Sequence, residues 1–374
     1  MLMVTEKLLT IDDETDWRAA LPADVSVFGS VEYARISQEH SGQAAQLLVI
    51  QSGGSLIAYP FFMRSIASLP FASKTTDAFW DISTPEYTGP IRLGWEPFFT
   101  PRFADVFTRH CQAQRVVAEF AHLHPWNAQA EFLESSCIEF NREIVYVDLT
   151  LPEERLWRDS FTYACRKNIN RARRENVRVF AAETAGDIRE FHRIYTQTME
   201  RSRALDKYYF PLNYFMALFE QMPDHARFVL AEYDDQIVAA TLYLHDAMNV
   251  YSYLGGADHA FQHVRPTNAV VYDTIVWAQS HGKHRLVLGG GYKPDDGIAR
   301  FKASFSPLRA RFNVYKRIHL PDKYSALCTG WSAYYGCKVI PSGYFPPYRI
   351  VPPASVRNLD QDPHVLTGHH SSRS

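Results

Sequence analysis

The chain has 374 residues, enough for two domains that each bury a core. Apolar residues make up 46% and charged residues 21%, ordinary for a globular protein, and a formal net charge of -2 gives no global pull toward nucleic acid. Five scattered cysteines (Cys111, Cys137, Cys165, Cys328 and Cys337) show no CxxC spacing, which fits a reducing compartment and argues against a structural zinc site.

The N-terminus, MLMVTEKLLTIDDETDW, turns acidic at once without a long apolar run, so no signal peptide is expected. No stretch approaches the length of a membrane span, and a cytoplasmic location is expected. Ser30 to Glu39 reads as a first helix. Ala45 to Ile50 and Leu56 to Met63 read as paired strands joined by Ser52-Gly53-Gly54-Ser55, a hairpin signal. Tyr87-Thr88-Gly89-Pro90 follows, then a helix over Thr100 to Gln114 and strands over Arg115 to Ala121 and Ile144 to Leu149. Strands flanked by helices at this length predict a compact α/β domain.

In the second half, Phe161, Cys165, Ile169 and Ala172 fall on one face of a helix, with Lys167, Arg171 and Arg174 on another. Helices are expected over Ile188 to Met199 and Leu212 to Met222. A three-stranded meander is expected over Arg227 to Tyr233, Gln236 to His245 and Asn249 to Leu254, ended by Gly255 and Gly256. Pro266 opens a further helix, with Thr267 and Asn268 placed to cap its first turn. The helix runs to Gly282. A short strand, Arg285 to Leu288, enters Gly289-Gly290-Gly291. Arg300-Phe301-Lys302 and a strand over Arg311 to Ile318 close the unit.

This order of strand, helix, strand, Gly-rich turn and Phe-Lys resembles the second domain of the Fem-type aminoacyltransferases and their acetyltransferase relatives in the GNAT superfamily. The resemblance implies an α/β (α+β) fold of two tandem GNAT-like domains, with mixed, largely antiparallel sheets flanked by helices. It divides the chain into a degenerate N-terminal GNAT-like domain (1–150), a C-terminal acyltransferase domain (151–320) and an extension (321–374). The extension is Pro-rich from Pro341, and Asp360 to Ser374 is expected to be disordered.

The same resemblance singles out residues. Lys302, in the Phe301-Lys302 pair, is the expected catalytic group, an ammonium that stabilises the oxyanion formed when an amine attacks an ester or thioester. The plainer reading is an exposed lysine between two strands. The helix beginning near Arg166 and Lys167 offers a basic face for phosphates of a tRNA, a nucleotide-sugar or CoA, or else only a solvated face. Arg201 and Arg203, before the aromatic loop Tyr208-Tyr209-Phe210, are candidates for an acceptor phosphate or carboxylate, and spacing does not choose between them. Tyr87 borders the expected acceptor cleft, while a lone Gly-Pro is otherwise just a turn. Tyr251 and Tyr253 share one face of a strand, as cleft lining or as packing. Asn268 and Phe301 complete the substrate-binding set.

Gly289 to Gly291 lacks GxGxxG spacing and is not a nucleotide fingerprint. No metal spacing among the histidines and no GxSxG elbow is present. Where GNAT domains carry a Gly-rich pyrophosphate turn, this chain reads His263-Val264-Arg265-Pro266-Thr267-Asn268, and proline removes one N–H donor. The donor therefore stays open between acyl-CoA, an acyl carrier and aminoacyl-tRNA. The expected activity is transfer of an acyl or aminoacyl group to an amine, with no permanently bound cofactor and no metal. The amine would belong to a cell-wall precursor, a polysaccharide or a small molecule, with tRNA a partner if it is the donor, no DNA, and peripheral membrane contact if the acceptor is lipid-linked. The contrasting reading is an inactive GNAT-like binding protein for a phosphate-bearing ligand.

Overall fold

Strand pairing runs across both halves of the chain without a break. The computed structural model describes residues 4–72, 78–94, 99–127, 129–131, 133–291, 296–336 and 344–352. The first half supplies β1 (Val4–Thr10), α1 (Glu14–Ala19), α2 (Val31–Ser41), β2 (Ala44–Ser52), β3 (Ser55–Ser65), β4 (Trp80–Ser83), β5 (Ile91–Leu93), α3 (Phe99–Ala113), β6 (Val116–His122) and β7 (Ile138–Asp148). The second supplies α4 (Glu153–Arg155), α5 (Tyr163–Arg174), β8 (Arg178–Ala181), α6 (Ala185–Ser202), α7 (Leu212–Gln221), β9 (Ala226–Tyr233), β10 (Gln236–His245), β11 (Asn249–Ala257), α8 (Pro266–Ser280), β12 (Arg285–Gly289), α9 (Gly297–Ala303), β13 (Arg309–Ile318) and α10 (Pro321–Tyr335).

The strands form one 13-stranded mixed sheet, in the order β1-β2-β3-β4-β6-β13-β7-β12-β11-β10-β9-β8, with β5 paired to β3. β13 lies between β6 and β7, and β7 in turn pairs β12, so strands from before and after residue 150 alternate at the centre.

Local sequence explains most elements. The β2–β3 hairpin turns between Ser52 and Ser55, with Gly53 supplying the positive φ a tight turn requires. Its alternating residues serve two cores: Leu48, Ile50, Ile57 and Tyr59 pack under Phe103 and Phe107 of α3, and Leu47, Val49 and Ala58 under Trp17, Val31 and Ala34. Thr162 caps α5 by accepting from Cys165 N, and Phe161, Cys165, Ile169 and Ala172 are all buried. Thr184 and Asp187 form a capping box at the start of α6. The meander β9–β10–β11 is antiparallel, with α6 and α7 on one face and α5 and α8 on the other.

Several elements differ from expectation. Gly255 and Gly256 do not end β11, which runs to Ala257. A Cβ at Gly256 would stand 2.3 Å from Thr198 Oγ1 and 2.8 Å from the Ile194 carbonyl oxygen, so Gly256 lets α6 lie against the strand, while one at Gly255 would meet the Ala240 carbonyl oxygen of β10 at 2.8 Å. β1, α1 and α9 carry too few periodic apolar residues to be read in advance. In the extension, α10 is a helix that buries Leu327 and Trp331, while the expected disordered tail lies outside the described residues.

The segment 344–352 docks back on the first half. The Asp81 carboxylate is fully buried; Tyr348 Oη donates to it at 2.6 Å, and Arg349 Nε donates to its other oxygen. Arg349 Nη2 also donates to the carbonyls of Arg64 and Ser65, at 2.9 and 3.0 Å. Removing one partner of a buried pair leaves an uncompensated charge. Arg349→Met is therefore expected to lower unfolding stability by about 3–5 kcal/mol, and Asp81→Asn in the same chain to recover part of the loss. Urea denaturation checks this, and a loss below about 1 kcal/mol would show that the pair does not anchor the segment.

Candidate active site

β11 and β12 run parallel and pair only over Asn249↔Arg285 to Tyr251↔Val287. Beyond that register β11 continues through Ser252 to Ala257 while β12 ends at Gly289, and the two strands part. The gap holds a cavity of about 260 Å³, lined among others by Glu86, Tyr87, His122, Arg142, Tyr253, Gly289 to Gly291, Lys302 and Phe312.

The three glycines have a physical reason. A Cβ at Gly289, whose φ is +78°, would stand 3.3 Å from Lys302 Nζ and 3.6 Å from Tyr87 Oη. One at Gly290 would meet Arg142 Cδ at 2.9 Å, and one at Gly291 would meet Asp296 Oδ1 at 2.5 Å. Each glycine thus leaves room for a neighbouring side chain of the protein itself.

Lys302 sits on α9, a single helical stretch after the glycines. Asp296 caps it by accepting from Ala299 N at 2.7 Å. Phe301 packs edge-to-face on Phe305 (5.4 Å), and buried Phe305 packs on Phe161 (5.7 Å), which anchors the helix in the core. Lys302 Nζ donates to the Gly290 carbonyl at 2.7 Å. Burial lowers its pKa from the ordinary 10.5 to about 8; Glu86 opposes that shift and Arg142 adds to it.

Tyr87 is held in the left-handed region (φ 50°), an uncommon state for a bulky residue. Its ring stacks on Tyr251, 5.1 Å away. Buried Gln129 Nε2 pins the following turn by donating to the carbonyls of Thr88 (2.6 Å) and Pro90 (3.0 Å). Tyr253 joins its hydroxyl to those of Tyr33 and Tyr214, each at 3.1 Å. His122 stacks on Phe312 at 5.8 Å, and burial lowers its pKa.

A second cavity of about 240 Å³ opens at the start of α8, lined by Ala257, Gln262, Arg265, Pro266, Thr267, Asn268 and Phe301. Arg265, at φ 61°, precedes Pro266, and no side chain caps the helix. The capping role expected of Thr267 and Asn268 is therefore absent. Asn268 is instead buried, 5% exposed, and its Nδ2 has no hydrogen-bond partner. Consecutive residues of α9 serve the two cavities, Phe301 this one and Lys302 the first.

The structure thus gathers Lys302, Tyr87 and Tyr253 in one cavity and Asn268 and Phe301 in the other. Arg166, Lys167, Arg201 and Arg203 line neither. Arg166 Nη1 donates to the carbonyls of Trp157 (3.0 Å), Arg158 (3.2 Å) and Phe161 (2.6 Å), securing the turn before α5. Lys167 is exposed on α5, and Arg201 and Arg203 are exposed at the end of α6. Glu86, His122 and Arg142 were not singled out from the sequence. Glu86 adjoins Tyr87 and offered a faint signal, whereas the other two reach the cavity only through strand pairing. Among the described residues, no group of three or more His, Cys, Asp or Glu could hold a metal ion, and no helix is long and apolar enough to cross a membrane.

The stretch that carries α5 through α9 matches a known family model, that of the acetyltransferase (GNAT) domain, over residues 160–303. Residues 160–303 form a GNAT acetyltransferase domain. The chain is an acyltransferase by that domain, which includes Asn268, Phe301 and Lys302. No curated protein matches the chain. Among solved structures, the GNAT-bearing chain aligns with FemX over 86% of its length and 99% of that chain, at 12% identity and a TM-score of 0.64. A conserved protein of unknown function from Bacteroides thetaiotaomicron aligns over 84% of this chain and 100% of that one, at 12% identity and a TM-score of 0.57. The C-terminal DUF2156 domain of a candidate lysylphosphatidylglycerol synthetase from Agrobacterium fabrum aligns over 82% and 91%, at 14% identity and a TM-score of 0.50. At these identities the likeness is one of fold, and it spans both halves of the GNAT-bearing chain.

The Lys302 pKa gives a stability test. Its folded value is lowered, so the folded state sheds the proton before the unfolded state does. Stability from this group is full above 10.5 and is lost as pH falls through about 8. Lys302→Met should therefore be more stable than wild type at pH 7, with the advantage shrinking as pH rises from about 8 toward 10.5. Urea midpoints across that window check this, and a constant difference would mean that the ammonium is solvated.

Proposed function

We propose that the protein transfers an acyl or aminoacyl group from an activated donor to an amine, with Lys302 stabilising charge on the reacting carbonyl oxygen. The observation that carries this reading is the placement of Phe301 and Lys302, neighbours on α9, in the linings of two separate cavities that this helix borders. The donor enters at the start of α8, where Arg265, the positive end of the helix and Asn268 Nδ2 suit phosphate and carbonyl oxygens. Acyl-CoA is the donor class that a GNAT domain favours. Aminoacyl-tRNA is the other, with the exposed basic residues Lys167 and Arg174 of α5 available to its phosphates. Both donors occur in the cytoplasm, where we place the reaction.

The amine enters from the cavity between β11 and β12. Once the acceptor ammonium has given up its extra proton to solvent, the amine nitrogen attacks the carbonyl carbon, the C–N bond forms, and the thioester C–S or ester C–O bond breaks. The amine proton leaves with the departing thiol or hydroxyl. Lys302, fixed on the Gly290 carbonyl and aimed by two packed phenylalanines, has its direction set before reaction. Such preorganisation is what makes a single donor effective in a transition state.

Single-turnover assays with acetyl-CoA or aminoacyl-tRNA and a panel of amines test the reading. Lys302→Met is expected to bind donor within a few-fold of wild type and to lose on the order of 100-fold or more in rate. Wild-type turnover should fall as pH rises through about 8, because the ammonium is lost there. A Lys302→Met rate within about threefold of wild type, far below the loss expected for a preorganised donor, would remove the lysine from the chemistry.

A further inference from the structure

Two charged groups of the cavity between β11 and β12 have no task in the transfer step. Glu86 precedes Tyr87 on the loop wall, and its side chain is exposed into the cavity. Arg142, on β7, also lines the cavity, with its stem laid over Gly290, where any Cβ would clash with Cδ. Arg142 Nε donates to Asn141 Oδ1 at 2.7 Å, which fixes the guanidinium plane and leaves its two terminal nitrogens for a ligand.

Among the described residues, neither Glu86 nor Arg142 forms an ion pair. Opposite charges in so small a cavity would normally pair with each other or with a neighbour. Here both stay open, and both act on the ammonium at the reaction centre, Glu86 favouring the charged form and Arg142 opposing it. Both line the same cavity as that ammonium, where the amine must arrive. A carboxylate suits an incoming ammonium, and a guanidinium fork suits a carboxylate or phosphate.

We infer that the acceptor is a compact zwitterion, an amine that carries its own carboxylate or phosphate, with Glu86 receiving the ammonium and Arg142 the acid. The inference rests on the transfer reading for the word acceptor, but the binding it describes does not require turnover. The cavity, at about 260 Å³, lies near the small end of ligand pockets and suits a molecule with both groups close together.

Calorimetric titration of the full chain without any donor tests this with four probes: 4-aminobutyrate, phosphoethanolamine, butylamine and butyrate. One of the two zwitterions is expected to bind about tenfold or more tightly than butylamine or butyrate, the gain of one further charge-assisted hydrogen bond. Which zwitterion prevails assigns the acid as carboxylate or phosphate. Glu86→Gln should remove the advantage over butyrate, and Arg142→Met the advantage over butylamine, with melting temperatures confirming that both variants fold. Equal binding of all four probes, binding of none at millimolar concentration, or insensitivity to either substitution would overturn the inference. Zwitterion binding by a protein that consumes no donor would instead leave it standing and sink the transfer reading.

Discussion

The site depends on holding one half-buried ammonium in a fixed place. Lys302 reaches the gap between two parallel strands that separate after three paired positions, and it donates there to the main-chain carbonyl of Gly290. That geometry requires the backbone to be bare. A Cβ at 289 would crowd the Lys302 ammonium at 3.3 Å, and Cβ atoms at 290 and 291 would clash with Arg142 and Asp296. The glycine run therefore exchanges conformational entropy for close approach of charged groups. The cost of desolvating the ammonium appears as its lowered pKa, and the nearby Glu86 charge recovers part of it.

The rest of the fold holds that gap in one shape. β13 returns from the second half to lie between β6 and β7, so the walls of the cavity are tied into one sheet. A cut at residue 150 would separate β7 from both of its sheet neighbours. Buried polar networks fasten the same region. Tyr59 Oη donates to Glu119 at 2.6 Å and His319 Nε2 lies 2.9 Å from its other oxygen, linking β3 and β6 to the end of β13. On the cavity side, Tyr251 Oη donates to Asp246, and His124 Nε2 lies 3.0 Å from the same hydroxyl. Trp126 N donates to His124 Nδ1, so the ring proton sits on Nε2 and points at Tyr251. Burial keeps that imidazole neutral, with a pKa near 4. Tyr251 is thereby fixed, and Tyr87 stacks on it in its unusual backbone state.

The sequence was most legible where one local period governs a whole element. The β2–β3 hairpin, the α5 face of Phe161, Cys165, Ile169 and Ala172, and the β9–β10–β11 meander could be read because burial repeats at fixed spacing. α9 was not legible as a helix: seven residues are too few for a period, and its cap lies at Asp296, although the phenylalanines at 301 and 305 that anchor it could be read. Gly255 and Gly256 looked like a strand end because local signals cannot show the β10 backbone against the first or the α6 helix against the second. Lys302 was legible only through resemblance, since an isolated Phe-Lys pair says nothing about direction. Arg142 and His122 were invisible for a topological reason. They lie on β7 and β6, and the insertion of β13 between those strands is a long-range pairing that no local pattern encodes. Arg166 misled in the opposite sense, since a basic residue early in a helix reads as a phosphate ligand when its real partners here are three carbonyls.

Everything in this account turns on Lys302 being a desolvated, positioned ammonium. Its titration can be followed directly through the side-chain Cε resonance in protein carrying ¹³C-labelled lysine, assigned by the signal missing from Lys302→Met. A midpoint near 8, set apart from the other lysines, is the predicted result. A midpoint near the ordinary 10.5 would show a solvated side chain and contradict the role given to it.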